Sequence, residues 1–422
     1  MVKKVTTIYQ TKWRRKLLVS FAGYVRDFFI NVCIPVPLPE SFQKIFYGDN
    51  VQFAFYVHPR RPEDIFVALP FLSFLKYLIP GNIFARVFSA FPPFVLEKVK
   101  CENGMSGVVI SSVALPEWLL RNRRGAIREG VRGLQFANKI MKGKFFGLGG
   151  LWPMVTRRGL ALRRYGKKMG KVITNGHCGT ALSIYLTVGK IAQICEIPLD
   201  GMSIAIIGAG KMGTNLARVF APQIGRLTLI DISDSRLRLV KEDLLEKHPA
   251  LSVETLNSKT CPHMVPHALA KSHVAVCTTS NVSAILKPVS IPNNFIIIDD
   301  SRPEAIPRVL DGNSKVVLEG GLMKIRGIKL NYDYGFGLDE NVFGCFAETY
   351  LLALDVGRTL RPTLGEVSGE NFRNMREFCD KNHIEVGSFM SSSERILADR
   401  IRRIVRERHA LIFPDLIKER DV

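Results

Sequence analysis

Three glycines carry the most specific chemistry in this chain. Gly208, Gly210 and Gly213 form a G-x-G-x-x-G run inside Ile204–Ala217, after a strand-like apolar stretch and at the opening of a helical one. At that spacing Gly208 makes a tight turn, Gly210 lets backbone approach a pyrophosphate, and Gly213 lets helix pack on strand. The helix N-terminus, opened by Lys211 and Met212, then faces the phosphates. The ligand so implied is a nicotinamide dinucleotide, NADH or NADPH. Asp231 ends the next strand, 18 positions after Gly213. An acid there accepts hydrogen bonds from the adenosine ribose and repels a 2′-phosphate, which leans to NADH. Arg236 and Arg238, just beyond, blunt that preference. Thr278, Thr279 and Ser280 end a further strand, and ligands sit at strand carboxyl ends, so these hydroxyls are assigned to the cofactor too. A Rossmann domain kept only as scaffold is the plainer alternative.

Cys345 follows a glycine at the mouth of an apolar helix. A thiol at a helix N-terminus has a lowered pKa and suits a nucleophile. The commoner fate of such a cysteine is burial as a small hydrophobe, and both readings stand at this point. His58 ends an apolar strand-like run and is the candidate acid or base, with a satisfied structural histidine as the alternative. His177 and Cys178 lie on a glycine-flanked loop just before an apolar helix and are placed beside substrate or nicotinamide. Glu348 reads as a capping or pairing group. No CxxC pair occurs, and His263, His267 and His273 lack acids at ligand spacing, so no metal is expected.

These residues need a scaffold. Strands are predicted at Ser203–Ile207, Leu227–Ile230, Val274–Thr278 and Phe295–Ile298, with helices at Met212–Phe220 and Arg236–Lys247. The alternation predicts an α/β fold, a Rossmann-type doubly wound parallel sheet. An apolar helix, Thr180–Cys195, precedes it, and Gly107–Val113 reads as a strand of an N-terminal α/β substrate domain. Residues 124–142 have helical period, with Ile127, Val131, Leu134 and Met141 on one face and Arg124, Arg128, Arg132 and Lys139 on another. Gly147-Leu-Gly-Gly150 marks a turn or a close backbone approach. The expected division is a basic extension over 1–50, a substrate domain over 51–172, the dinucleotide domain over 173–325, and a C-terminal segment over 326–422 with Cys345 and a helical tail.

Composition narrows the partners. The chain has 422 residues, is 47% hydrophobic and carries a net charge of +21. It therefore fills a core rather than staying disordered. Residues 121–171 hold fifteen Lys or Arg against one acid, Glu129, and residues 1–45 hold eight against Asp27 and Glu40. These stretches supply +14 and +6. Charge this one-sided suits anionic lipid, nucleic acid or an acidic protein, with a solvated face as the bland reading. Nucleic acid is not the expected partner. Eight scattered cysteines and no clear signal peptide fit a cytoplasmic chain, with membrane association left open. The Phe-rich stretch Ile65–Leu96 is interrupted by Pro70, Lys76, Pro80, Arg86, Pro92 and Pro93. It reads as core or as a surface for acyl chains or lipid, not as a membrane span.

Six separated motifs keep one order and approximate spacing. They are Leu115-Pro-Glu-Trp118, Phe146-Gly-Leu-Gly-Gly150, Thr174–Ala181 before an apolar helix, the glycine fingerprint, Leu318-Glu-Gly-Gly321, and Phe343-Gly-Cys-Phe-Ala-Glu348. In these the chain resembles the cyanobacterial long-chain acyl-ACP reductases, over roughly residues 51–390. The resemblance implies NADPH- or NADH-dependent reduction of a fatty acyl thioester, on acyl carrier protein or coenzyme A, to a fatty aldehyde. It implies a transiently acylated cysteine, matched by Cys345, and a histidine near the place of His58. The basic stretch 121–171 would then suit the acidic carrier protein. The chain departs from the family in three ways. Asp231-Ile232 replaces a Thr-Ala-Arg whose arginine suits NADPH. Asn175-Gly-His177-Cys178-Gly179-Thr180-Ala181 replaces Thr-Gly-Asn-Thr-His-Thr-Ala. About fifty N-terminal residues and a longer tail are extra. The rival readings are a dehydrogenase of the shikimate or glutamyl-tRNA reductase type, and a non-catalytic lipid-binding Rossmann protein.

Overall fold

The computed structural model describes residues 2–279, 291–301, 306, 314–337, 339–391 and 394–413, with backbone alone for 2–16, 81 and 82. The chain forms two compact units. Unit 1 comprises Met1–Gly176, Gly327–Tyr332 and Glu348–Gly365; unit 2 comprises His177–Arg326, Asp333–Ala347 and Glu366–Val422. Two of the expected segments therefore do not stand alone. The N-terminal 1–50 belongs to unit 1, and the C-terminal 326–422 is shared between both units.

Runs of aromatic and β-branched residues build the sheet of unit 1. Its strands are β1 (Val51–Val57), β2 (Phe94–Cys101), β3 (Ser106–Ser111), β4 (Phe145–Leu148) and β5 (Val172–Thr174). The order is β2-β3-β1-β4-β5, with the short strand Ile328–Lys329 on the outer edge of β2. β3, β1, β4 and β5 run parallel, while β2 is antiparallel to β3. Consecutive residues Phe53, Ala54, Phe55 and Tyr56 are all buried, so both faces of β1 are covered. The helices of this unit are α1 (Val2–Cys33), α2 (Glu40–Tyr47), α3 (Pro62–Ala68), α4 (Leu75–Leu78), α5 (Gly81–Phe88), α6 (Pro116–Arg121), α7 (Arg123–Ile140), α8 (Trp152–Val155) and α9 (Leu160–Lys168).

The N-terminal stretch is tied in by one buried acid. Asp27 of α1 accepts from the Tyr47 hydroxyl at 2.8 Å and the Val95 N–H at 2.7 Å, and pairs with Arg26. Burial pushes its carboxyl up, against the pull of Arg26. Lys139 Nζ donates to the Ile30 and Asn31 carbonyls, at 3.2 and 2.7 Å, closing the last turn of α1. This corrects the expected basic face of the 124–142 helix. Arg124 and Arg128 are exposed as expected, but Arg132 turns onto Glu129 at 2.8 Å and Lys139 onto α1. Glu129 is buried and also accepts from Ser112 Oγ at 2.9 Å, and a buried carboxylate draws in a counter-charge.

Unit 2 carries the predicted Rossmann sheet. Its elements are α10 (His177–Cys195), β6 (Ser203–Ile207), α11 (Lys211–Phe220), β7 (Arg226–Asp231), α12 (Asp234–Lys247), β8 (Ser252–Asn257), α13 (Val265–Ala270), β9 (Val274–Cys277), β10 (Phe295–Asp299) and β11 (Lys315–Glu319). The strand order is β8-β7-β6-β9-β10-β11, and every pair is parallel. This is the doubly wound order whose direction reverses between β6 and β9, where such sheets bind dinucleotides. The helix α14 (Gly344–Asp355) begins in unit 2 and ends in unit 1; α15 (Gly369–Lys381), α16 (Ala398–Ile412) and two small sheets, one of Leu322–Lys324, Asn341–Phe343 and Glu385–Val386 and one of Met390–Ser391 and Glu394–Arg395, also belong to unit 2. Two strands, β8 and β11, were not predicted. β8 is an edge strand with one buried residue, Val253, so it lacks an apolar run to read.

Candidate active site

The turn after β6 is stitched to its neighbours. Gly208 has φ +95°, a conformation open to glycine, and donates its N–H to the Ile230 carbonyl at 2.7 Å. Thr278 Oγ1 donates to the Gly208 carbonyl at 2.9 Å, and the Thr278 N–H to Ile207 at 2.9 Å. A Cβ on Gly213 would lie 2.0 Å from the Gly208 carbonyl oxygen, so α11 packs against the turn only through glycine. A Cβ on Gly210 would meet no protein atom within 4 Å. The protein itself does not require glycine there; an approaching pyrophosphate does, and the residues fit that group. Lys211 and Met212 open α11, and Lys211 pairs with Glu366. Thr279 backbone packs beside Gly208, while Ser280 lies outside the described residues.

Asp231 does more inside the protein than the sequence implied. It is buried; Oδ2 accepts from the Ala209 N–H at 2.7 Å and Oδ1 from the Ser233 N–H at 3.0 Å. The half-exposed Arg236 guanidinium lies 3.1 and 3.2 Å from its two oxygens. The carboxylate thus braces the glycine turn and carries its own counter-charge. Its repulsion of a 2′-phosphate is weakened accordingly.

Cys345 stands at the carboxyl edge of the same sheet. Short backbone links step from strand end to strand end: Asp300 N–H to Cys277 O at 2.9 Å, Gly320 N–H to Asp299 O at 3.0 Å, and Gly344 N–H to Gly321 O at 2.9 Å. A Cβ on Gly344 would lie 2.3 Å from Ser183 Oγ and 2.5 Å from the Gly179 carbonyl oxygen. The start of α14 is therefore pressed against the first turns of α10. This gathers Cys345 with His177 and Cys178, two separate sequence predictions, at adjoining helix N-termini. His177 and Cys178 begin α10 itself rather than a loop before it. Cys345 is half-buried in the first turn of α14. Burial pushes Cys101 and Cys195 up to about 11, and Cys277 and Cys379 up to about 12, holding those thiols protonated.

His58 and Glu348 belong to unit 1. His58 Nε2 accepts from the Leu151 N–H at 2.9 Å and Nδ1 donates to the Pro59 carbonyl at 2.8 Å. Nε2 thus braces the Gly147–Leu151 turn, while Nδ1 fixes the ring to the backbone of its own loop. Glu348 is fully buried; its Oε1 accepts from Thr174 Oγ1 and from the Thr363 N–H at 3.1 Å, the pairing role expected of it. Asn175, which the sequence did not single out for any role, donates through Nδ2 to the Arg158 and Gly365 carbonyls, each at 3.2 Å. Its only signal was a place inside a motif.

No family model matches the chain, and no curated protein matches it. Solved structures resemble it at low identity. L-tryptophan dehydrogenase from Nostoc punctiforme is 12% identical over 86% of this chain and 90% of that one, with a TM-score of 0.35. Shikimate dehydrogenase from Aquifex aeolicus is 12% identical over 77% and 98%, with a TM-score of 0.32. The chain spans a smaller part of two others, 32% of E. coli MccB (17% identical, 22% of this chain, TM-score 0.18) and 35% of Thermococcus litoralis Δ1-pyrroline-2-carboxylate reductase (18% identical, 30% of this chain, TM-score 0.22).

Proposed function

We propose that the chain is an NAD(P)H-dependent oxidoreductase that reduces a long-chain fatty acyl thioester to the aldehyde through Cys345. The observation that carries this reading is the seat of Gly344 on Gly179 and Ser183, which sets the start of α14 on the edge that also bears the glycine turn. The Cys345 thiolate attacks the acyl carbonyl, and the carrier thiolate leaves and takes up a proton. Gly208–Gly213, Asp231, Thr278 and Thr279 would hold NADH or NADPH, which when bound would supply the hydride for the new thioester. The resulting thiohemiacetal collapses to aldehyde and returns the Cys345 thiolate. The backbone N–H groups opening α14 and α10 favour the thiolate and the oxyanion. Acyl carrier protein, being acidic, suits the basic surface of unit 1; coenzyme A is the other carrier.

The test is intact mass of enzyme mixed with acyl-ACP or acyl-CoA without reduced cofactor. An acyl adduct is expected on the wild type and none on Cys345→Ser. Aldehyde formation by that variant at the wild-type rate overturns the reading. A second reading, a dehydrogenase of the shikimate or glutamyl-tRNA reductase type, draws on the apolar character of α14, whose Phe346, Ala347, Leu351 and Leu352 are buried. In that reading Cys345 only packs, no adduct forms, and a small hydroxy or carbonyl substrate is turned over by Cys345→Ser unchanged.

A further inference from the structure

The outward face of α1 is built for something other than water. Tyr24, Asp27 and Ile30 point into unit 1. The opposite face shows Leu18, Phe21, Val25, Phe28, Phe29 and Val32, with Leu18 64% and Phe29 57% exposed. Their spacing of three and four makes one stripe. Phe21 packs edge-on against Phe71 at 5.2 Å, and just beyond Phe71 the helix α4 and its flank expose Phe74, Tyr77 and Leu78. Six large apolar groups along one helix face, joined to three more, exceed the scattered exposed hydrophobics of a soluble surface.

We propose that unit 1 docks on an anionic membrane through this face, with α1 lying in the plane of the lipid headgroups. The helix does not cross the bilayer, because its other face is fixed to the protein by buried Asp27. Charge selects the occupant. Residues 2–16, on the same helix, hold Lys3, Lys4, Lys12, Arg14, Arg15 and Lys16 and no acid. Lys76 and Arg86 are exposed on the neighbouring helices. A second copy of the chain would cover the apolar stripe and leave this run without a counter-charge. An anionic bilayer meets both, apolar side chains below and phosphates around. The surface stands on unit 1 alone and does not rest on the reaction proposed for Cys345.

Flotation of the full chain with lipid vesicles tests it. With roughly 30 mol% phosphatidylglycerol in phosphatidylcholine, the bound fraction is expected to exceed that on phosphatidylcholine alone by about tenfold, and to fall at high salt. Phe28→Ser/Phe29→Ser lowers binding to anionic vesicles about tenfold with unchanged circular dichroism, since both positions are exposed. Arg14→Gln/Arg15→Gln/Lys16→Gln lowers binding to anionic vesicles and leaves the neutral ones unaffected. Wild-type protein that stays in the soluble fraction with both vesicle types overturns the proposal. So does a dimer, seen by light scattering, that Phe28→Ser/Phe29→Ser dissolves while vesicle binding is nil.

Discussion

Asp231 and Arg236 separate the charge of a side chain from the charge of its site. Read alone, Asp231 repels a 2′-phosphate. In the fold its oxygens hold the Ala209 and Ser233 N–H groups, and Arg236 sits on both. Removing the guanidinium should therefore act on one cofactor only. Arg236→Ala is expected to raise KM for NADPH about tenfold and leave KM for NADH within about twofold, in steady-state kinetics with each cofactor. Equal losses for both would assign Arg236 to bracing rather than to the phosphate. Gly213→Ala brings a Cβ 2.0 Å from the Gly208 carbonyl oxygen and should weaken both cofactors about tenfold or more by fluorescence titration. The glycines were legible in sequence because their demand is steric and local. The brace on His58 was not, because Leu151 is 93 positions away and nothing near His58 announces it.

At the scale of elements, α16 is docked by a histidine pair. The Ser203 N–H donates to His273 Nδ1 at 2.9 Å, so His273 carries its proton on Nε2 and donates to His409 Nδ1 at 2.8 Å. Burial first, and the neighbouring His409 next, hold the His273 imidazole down at about 4. The unfolded chain takes that proton near the ordinary value of about 6.5. Stability is thus complete above about pH 6.5 and is lost as pH falls towards 4, by on the order of 3 kcal/mol in all. Urea unfolding at pH 7 and pH 5 measures this, and His273→Gln should flatten the slope in that window. A wild-type midpoint independent of pH there counts against the pairing. Glu348 is read in the same way. Glu348→Ala empties a buried site, takes the carboxylate acceptor from the Thr174 hydroxyl and leaves the Thr363 N–H with Thr174 Oγ1 alone; it should cost ~2 kcal/mol, whereas Glu348→Gln keeps an acceptor and should retain activity. Loss of turnover in a stable Glu348→Gln would make it a catalytic group instead. The predicted helices and the β6, β7, β9 and β10 strands were legible through apolar period; β8 was not, because an edge strand needs few apolar residues.

For the whole molecule, charge is distributed by unit. The stretches 1–45 and 121–171 supply +6 and +14 of a total of +21, and both lie in unit 1. That asymmetry was legible, since charge needs no fold to be counted. The division into units was not, since it depends on pairings such as Thr174 with Thr363, 189 positions apart. Several of the basic groups are consumed internally: Lys171 donates to the Met141 and Gly143 carbonyls, and burial holds it down at about 8. Others remain at the surface, among them Arg163, Arg164, Lys167 and Lys168 of α9. If these receive an acidic carrier protein, the reaction should depend on salt in a particular way. Between low and about 0.3 M salt, KM for acyl-ACP should rise about tenfold while kcat at saturation holds, because screening weakens encounter and not chemistry. An uncharged acyl thioester of a short thiol offers no such attraction and should show no salt dependence. Replacing the four α9 cations by Gln should move KM at low salt towards its high-salt value for acyl-ACP and leave the short thioester untouched. A salt response shared by both substrates would locate the effect in folding or cofactor binding, and the basic surface would then be a solvated face only.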